Sequence, residues 1–183
     1  DRLDAGEQLF WPCPDESHPG TPRMFTDRFA HPDGRARFVA VSARPATEPT
    51  DAQFPYLLTT GRSRTHYQSG TQTRRSPTLA AAEPVGHAEI HPDLARALGI
   101  ADGDPVRLAT RRGSAVVRVR LTATVRRDTV FAPFHWPGIN DLTSPRLDPS
   151  SRMPEFKACA VSVSAVETAG VPVGVPHHEE SNP

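Results

Sequence analysis

Cysteine is scarce: Cys13 and Cys159 are the only two in 183 residues, too few for a disulfide framework or a four-thiolate metal site. Charge of one sign is also lacking, since 21 Lys+Arg stand against 21 Asp+Glu and the formal net charge is zero. That argues against a strongly basic nucleic-acid surface. No apolar run approaches the roughly 18 residues of a membrane-spanning helix, and Asp1-Arg2-Leu3-Asp4 is no secretory leader. Neither nucleic acid nor membrane is therefore expected as a partner. Also missing are GxGxxG, the Walker-type Gly-Lys-Ser, a Ser/His/Asp elbow and paired carboxylates, so no self-contained catalytic apparatus is expected. The start at Asp1, with no Met before it, suggests a piece of something longer.

Turn formers are plentiful instead. With 20 prolines and 12 glycines, the pair makes up about 17% of the chain, against roughly 12% in average usage. Seven of the prolines (Pro12, Pro14, Pro19, Pro22, Pro32, Pro45 and Pro49) fall within residues 1–53. Proline lacks an amide donor and drives its predecessor extended, so 1–53 reads as an irregular arm. Large apolar residues in it, among them Phe10, Trp11, Phe25, Phe29 and Phe38, predict that it packs on a larger body and is partly disordered in isolation.

Residues 54–166 are expected to form one domain, and 167–183 a disordered tail. Tyr56–Thr60, Val85–Ile90, Val106–Thr110, Ala115–Val125, Thr129–Phe134 and Ala158–Val163 read as strands. In the fourth, Val117, Val119 and Leu121 alternate with Arg118, Arg120 and Thr122, giving one dry face and one wet face. Pro92–Leu98 reads as a short helix with proline in its first turn, Asp93 near its positive end and Gly99 as its stop. Six strands with a helix mid-pattern predict a mainly β fold closed, or nearly closed, into a barrel.

Residues Thr59–Arg75 place two glycines, one histidine and four arginines among hydroxyls and amides, directly after a strand. Glycine admits close backbone approach, while guanidinium forks and hydroxyls suit phosphate oxygens and purine edges. Read as chemistry this is an anion site; on composition alone an exposed polar loop is an equal alternative. His87 and His91 are four apart but straddle a strand-to-helix junction, and His177-His178 sits in the tail, so no protein-ligated metal is expected. Cys159 reads as a small buried hydrophobe. Asn140 and Lys157 would complete an anion or purine pocket at the same barrel rim, although a turn-former and a solvated edge charge account for them equally.

Taken in order, these segments resemble the molybdopterin dinucleotide-binding domain that closes the C-terminus of molybdenum oxidoreductases. The resemblance rests on Leu58-Thr59-Thr60-Gly61-Arg62, His66-Tyr67, Gly70-Thr71-Gln72-Thr73-Arg74-Arg75, Ile90-His91-Pro92-Asp93, Arg111-Arg112-Gly113 and Pro154-Glu155-Phe156-Lys157. It runs from about Phe10 to Val163. It implies a six-stranded double-psi β-barrel and a molybdenum bis(molybdopterin guanine dinucleotide) cofactor. Carried over by position, Thr59, Thr60, Gly61, Arg62, Ser63, His66, Tyr67, Gln68, Asn140 and Lys157 would bind that cofactor, and Phe134 would lie near a substrate funnel. The iron–sulfur cysteines and the molybdenum ligand of such enzymes are missing from this stretch. A 4Fe-4S cluster would therefore belong to an absent N-terminal part, and this chain alone would be inactive.

Pro133-Phe134-His135-Trp136 and Asp148-Pro149-Ser150-Ser151 look closest to cytoplasmic assimilatory nitrate reductases. The implied partners are the dinucleotide, the preceding domains of the same polypeptide, and nitrate. Formate dehydrogenases share most of these phrases and form the alternative. A non-catalytic double-psi barrel serving as an interaction module is the alternative of another class.

Overall fold

The computed structural model describes residues 1–166; the tail expected to be disordered from residue 167 lies outside the described residues. The chain divides into two compact units, Asp1–Ala43 and a second that starts at Arg44.

The first unit contains neither helix nor strand, as its proline content dictates. Turns and side-chain bonds order it instead. The amide of Thr21 donates to the Phe10 carbonyl at 2.8 Å, and its hydroxyl donates to the Pro12 carbonyl at 2.7 Å. Arg2 donates to the carbonyls of Glu16 and His18 at 2.8 and 2.7 Å. Phe25 and Phe29 stack with ring centroids 5.6 Å apart, while Trp11 and Phe38 stand exposed.

In the second unit six strands close a barrel in the order β1-β5-β2-β4-β3-β6. They are β1 Tyr56–Gly61, β2 His87–Ile90, β3 Pro105–Ala109, β4 Ser114–Leu121, β5 Thr129–Pro133 and β6 Cys159–Ala165. Two pairings are parallel, β1 with β5 and β2 with β4, and the other four are antiparallel. Advancing every strand number by three returns the same set of pairs. That pseudo-twofold interlock is the double-psi arrangement. Closure leaves no open sheet edge. Leu58, Ile90, Val106, Leu108, Val130 and Val161 fill the interior and are fully buried.

On β4 the alternation holds: Val117 and Val119 are buried while Arg118 and Arg120 are exposed. The strand stops at Leu121, not Val125, because the Thr122 hydroxyl accepts from the Thr124 amide at 3.2 Å and starts a turn. Strand β2 begins at His87, since Pro84 and the exposed Val85 lie before the ladder. Helix α2 spans Pro92–Leu98, capped by the His91 ring accepting from the Asp93 amide at 3.0 Å and ended by Gly99 at φ 68°. A further helix, α1 Pro77–Ala82, precedes β2; Pro77 occupies its first turn, where no amide donor is needed.

Residues 44–53, grouped on sequence with the arm, lie in this unit. Glu48 accepts from Arg111 at 2.8 Å, from Arg112 at 2.9 Å and from the Ala160 amide at 3.1 Å. Thr47 donates its amide to Glu155 at 3.0 Å.

Candidate functional site

Three strand ends meet at one rim. Because β1 and β5 run parallel, their C-terminal residues Gly61 and Pro133 are register partners. Strand β6 runs antiparallel to β1, with Cys159 opposite Leu58, so its leading residues arrive at the same rim. Arg62, Phe134 and Lys157 are thus brought together from positions up to 95 residues apart in sequence. The 3₁₀ turn Asn140–Leu142 adds Asn140.

These residues line one open cleft of about 880 Å³. Of the residues singled out on sequence, Arg62, Gln68, Phe134, Asn140 and Lys157 line it together. Ser69, from the Thr59–Arg75 stretch, and Phe156, next to Lys157, also line it, as do Thr143 and Ser144; those last two are small polar loop residues with no periodic signal to mark them. Two cations and no carboxylate face the cavity, a donor set suited to an anion. The Arg62 guanidinium sits 6.0 Å from the Phe134 ring centroid, and the Lys157 ammonium 5.3 Å from that of Phe156. Lys157 is further fixed by donating to the Thr60 carbonyl at 2.6 Å. The buried Thr60 hydroxyl donates to the Phe156 carbonyl at 3.1 Å.

The remaining predicted residues do not line the cavity. Thr59 lies within β1 opposite Phe131. At Gly61 a Cβ would overlap the Phe131 ring, which would have to shift to admit a side chain. Ser63 donates its amide to His135 Nε2 at 2.9 Å. His66 is buried, with Nδ1 2.9 Å from the Thr73 hydroxyl and Nε2 3.0 Å from the Glu83 carbonyl. The Tyr67 ring is exposed.

Outside this rim, His87 is buried beside Glu83, Glu89 and Arg120. Burial, then Arg120, pushes its pKa down against the pull of the two carboxylates. The His91 ring is engaged as a helix cap. Among the described residues no group of three His, Cys, Asp or Glu is placed to hold one. Cys159 is buried; its sulfur accepts from the Ser144 amide at 3.2 Å, and burial raises its pKa. A separate cavity of about 820 Å³ lies within the first unit, where Asp1, Glu7, Asp15 and Glu16 disfavour an anionic ligand. Among the described residues no helix is long and apolar enough to cross a membrane.

The class these features define is a six-stranded double-psi barrel whose rim cleft, with two cations and no carboxylate, is suited to an anion. The family model of the molydopterin dinucleotide binding domain matches residues 56–160, and the chain belongs to that family. The assimilatory nitrate reductase catalytic subunit of Bacillus subtilis (strain 168) is 44% identical over 167 residues, covering 88% of this chain and 24% of that protein. F420-dependent formate dehydrogenase 1 subunit alpha of Methanococcus maripaludis is 39% identical over 160 residues, covering 86% and 24%. This chain thus spans about a quarter of the length of these curated relatives. Among solved structures, acetylene hydratase from Pelobacter acetylenicus superposes with a TM-score of 0.55 at 20% identity, over 62% of this chain and 18% of that one, a likeness of fold.

Proposed function

We propose that this chain is the cofactor-clamping domain of a molybdenum-dependent nitrate reductase, and that its rim cleft holds a molybdopterin guanine dinucleotide. The observation carrying this reading is the convergence of Arg62, Gln68, Phe134, Asn140 and Lys157 on one cavity free of carboxylates. The donor set fits the group. Arg62 and Lys157 would neutralise a diphosphate, Asn140 and Gln68 would hydrogen-bond heterocycle edges, and the Phe134 and Phe156 rings would wall a planar ring system and exclude water. The cavity volume lies within the usual range for ligand pockets, roughly 300–1,000 Å³.

The metal, when bound, supplies two-electron oxygen-atom transfer: nitrate, two protons and two electrons give nitrite and water. This chain contributes binding and orientation. Its cations hold the dinucleotide in register, and Phe134 shields the approach to the reacting centre. The molybdenum ligand, any 4Fe-4S cluster and the other domains would come from the rest of the parent. The 44% identity to an assimilatory nitrate reductase favours nitrate; the 39% identity to a formate dehydrogenase makes formate the second reading.

The test is to replace Arg62 and Lys157 by alanine, singly and together, in the full-length polypeptide and to assay molybdenum and guanine released on hydrolysis. Each single change is expected to lower both several-fold, and the pair to abolish them. Wild-type content in the double variant would show that the pocket is wrongly assigned. Nitrate-dependent oxidation of reduced viologen by the wild type then separates the substrates. Turnover to nitrite supports nitrate, while a molybdenum-loaded but inactive preparation moves the assignment to formate and leaves the cleft in place.

A further inference from the structure

His135 lines no part of the cleft, yet it reaches both ends of the loop that does. Its ring is buried, with the residue 1% exposed. The Ser63 amide donates to Nε2 at 2.9 Å; a backbone amide can only donate, so Nε2 carries no hydrogen. The proton therefore sits on Nδ1, which donates to the Gln68 carbonyl. One imidazole in one tautomer thus spans residues 63 to 68. At one end the bonded amide is next to Arg62, and at the other the bonded carbonyl belongs to Gln68 itself; both residues line the cleft. Gln68 sits at φ 48°, a left-handed conformation that a non-glycine residue keeps only when its surroundings enforce it.

The tie is reciprocal. Arg74, at the far end of the same loop, donates to the His135 carbonyl at 2.7 Å and lies 5.3 Å from the Trp136 ring centroid. Gly70 lies between them at φ 73°, where a Cβ would stand 3.1 Å from that carbonyl. On the other side of His135, Phe134 donates its amide to the Gly61 carbonyl at 3.1 Å. The segment 134–136 is therefore bonded to the loop at Gly61, Ser63, Gln68 and Arg74.

We infer that His135 is a positioning residue for the dinucleotide: its Nδ1-protonated ring sets the backbone of 63–68 so that Arg62 and Gln68 face the cleft together. This rests on the reading of the cleft given above. It predicts that the two ring bonds are separable. His135→Asn keeps a donor near Nδ1 for Gln68 and loses the acceptor for Ser63; His135→Gln keeps an acceptor near Nε2 and loses the donor; His135→Leu loses both.

The three variants are made in the full-length polypeptide. Hydrogen exchange by mass spectrometry follows peptides covering 62–70 and peptides covering the barrel strands, and the release of guanine nucleotide is timed in mild urea. His135→Leu is expected to speed exchange in 62–70 with strand protection unchanged, and to speed nucleotide release about tenfold, with Asn and Gln intermediate. Unchanged release and an equally protected loop in His135→Leu would overturn the inference. So would loss of protection across the strands with no rescue by Asn or Gln, which marks a role in global stability only. A wild type that carries no guanine nucleotide would instead overturn the reading of the cleft, and this inference with it.

Discussion

At the residue scale the rim depends on close contacts as much as on charges. Gly61 is the last residue of β1, and the Phe131 ring from β5 lies across the place a side chain would take. A methyl there must displace a ring packed on the seam between two parallel strands. Gly61→Ala is therefore expected to cost about 1–3 kcal/mol by overpacking, read as a lower urea midpoint at unchanged slope. Adding Phe131→Leu should recover part of the loss, because the shorter side chain vacates the position. A Gly61→Ala variant as stable as wild type would show that the ring moves aside freely and that the close approach sets no constraint. The glycine that composition marked as one admitting ligand approach is thus explained first by its neighbour within the sheet.

At the scale of elements, one carboxylate ties four segments. Glu48 pairs with Arg111 and Arg112 after β3 and accepts from Ala160 on β6, while Arg112 also donates to the Leu142 carbonyl at 2.9 Å. The turn so held carries Asn140 into the cleft. Burial pushes the Glu48 carboxyl pKa up, but Arg112, Arg111 and the Ala160 amide outweigh it and hold the carboxyl below its ordinary range. The folded value is thus below the unfolded one. The stabilisation is complete above the unfolded value and is lost as pH falls through the folded one. Glu48→Gln should cost about 3 kcal/mol at neutral pH, since it leaves Arg112 without its charge partner, and should flatten the acid limb of stability against pH. Equal acid sensitivity in Glu48→Gln and wild type would remove Glu48 from that role.

None of this network was legible in the sequence, because a glutamate among prolines carries no sign of the arginines it meets more than sixty residues later. What was legible is local. Helix α2 announced itself through Pro92, Asp93 and Gly99, and β4 through alternating valine and arginine. Helix α1 did not, since its Pro-Thr-Leu-Ala-Ala-Ala has no buried residue and hence no apolar stripe to read. The cleft was half legible. Arg62, Gln68, Asn140 and Lys157 stood in recognisable phrases, whereas the reach of the His135 ring to two backbone groups is tertiary geometry that no spacing encodes.

At the scale of the whole molecule, the barrel's interlock sets where a stable second unit must begin. Its strands pair across long separations: β1 meets β5 and β6, so β1 is held only when the C-terminal strand is in place. The stretch just before β1 adds bonds of its own, from Thr47 to Glu155, from Glu48 to the β3–β4 turn and β6, and from Asp51 to the Phe54 amide at 2.8 Å. A chain covering 44–166 keeps all of these contacts, whereas one covering 54–166 keeps every strand but loses the anchors. The shorter chain should therefore melt lower by on the order of 10 °C, the shift that a loss of about 3 kcal/mol implies for a unit of this size. Both should give the β-rich circular dichroism of a folded barrel, because the core built on Leu58, Val106, Leu108 and Val161 is common to them. Equal melting temperatures would mean that residues 44–53 add nothing to the barrel. An unfolded 54–166 chain beside a folded 44–166 chain would mean that residues 44–53 are as necessary to the fold as any strand.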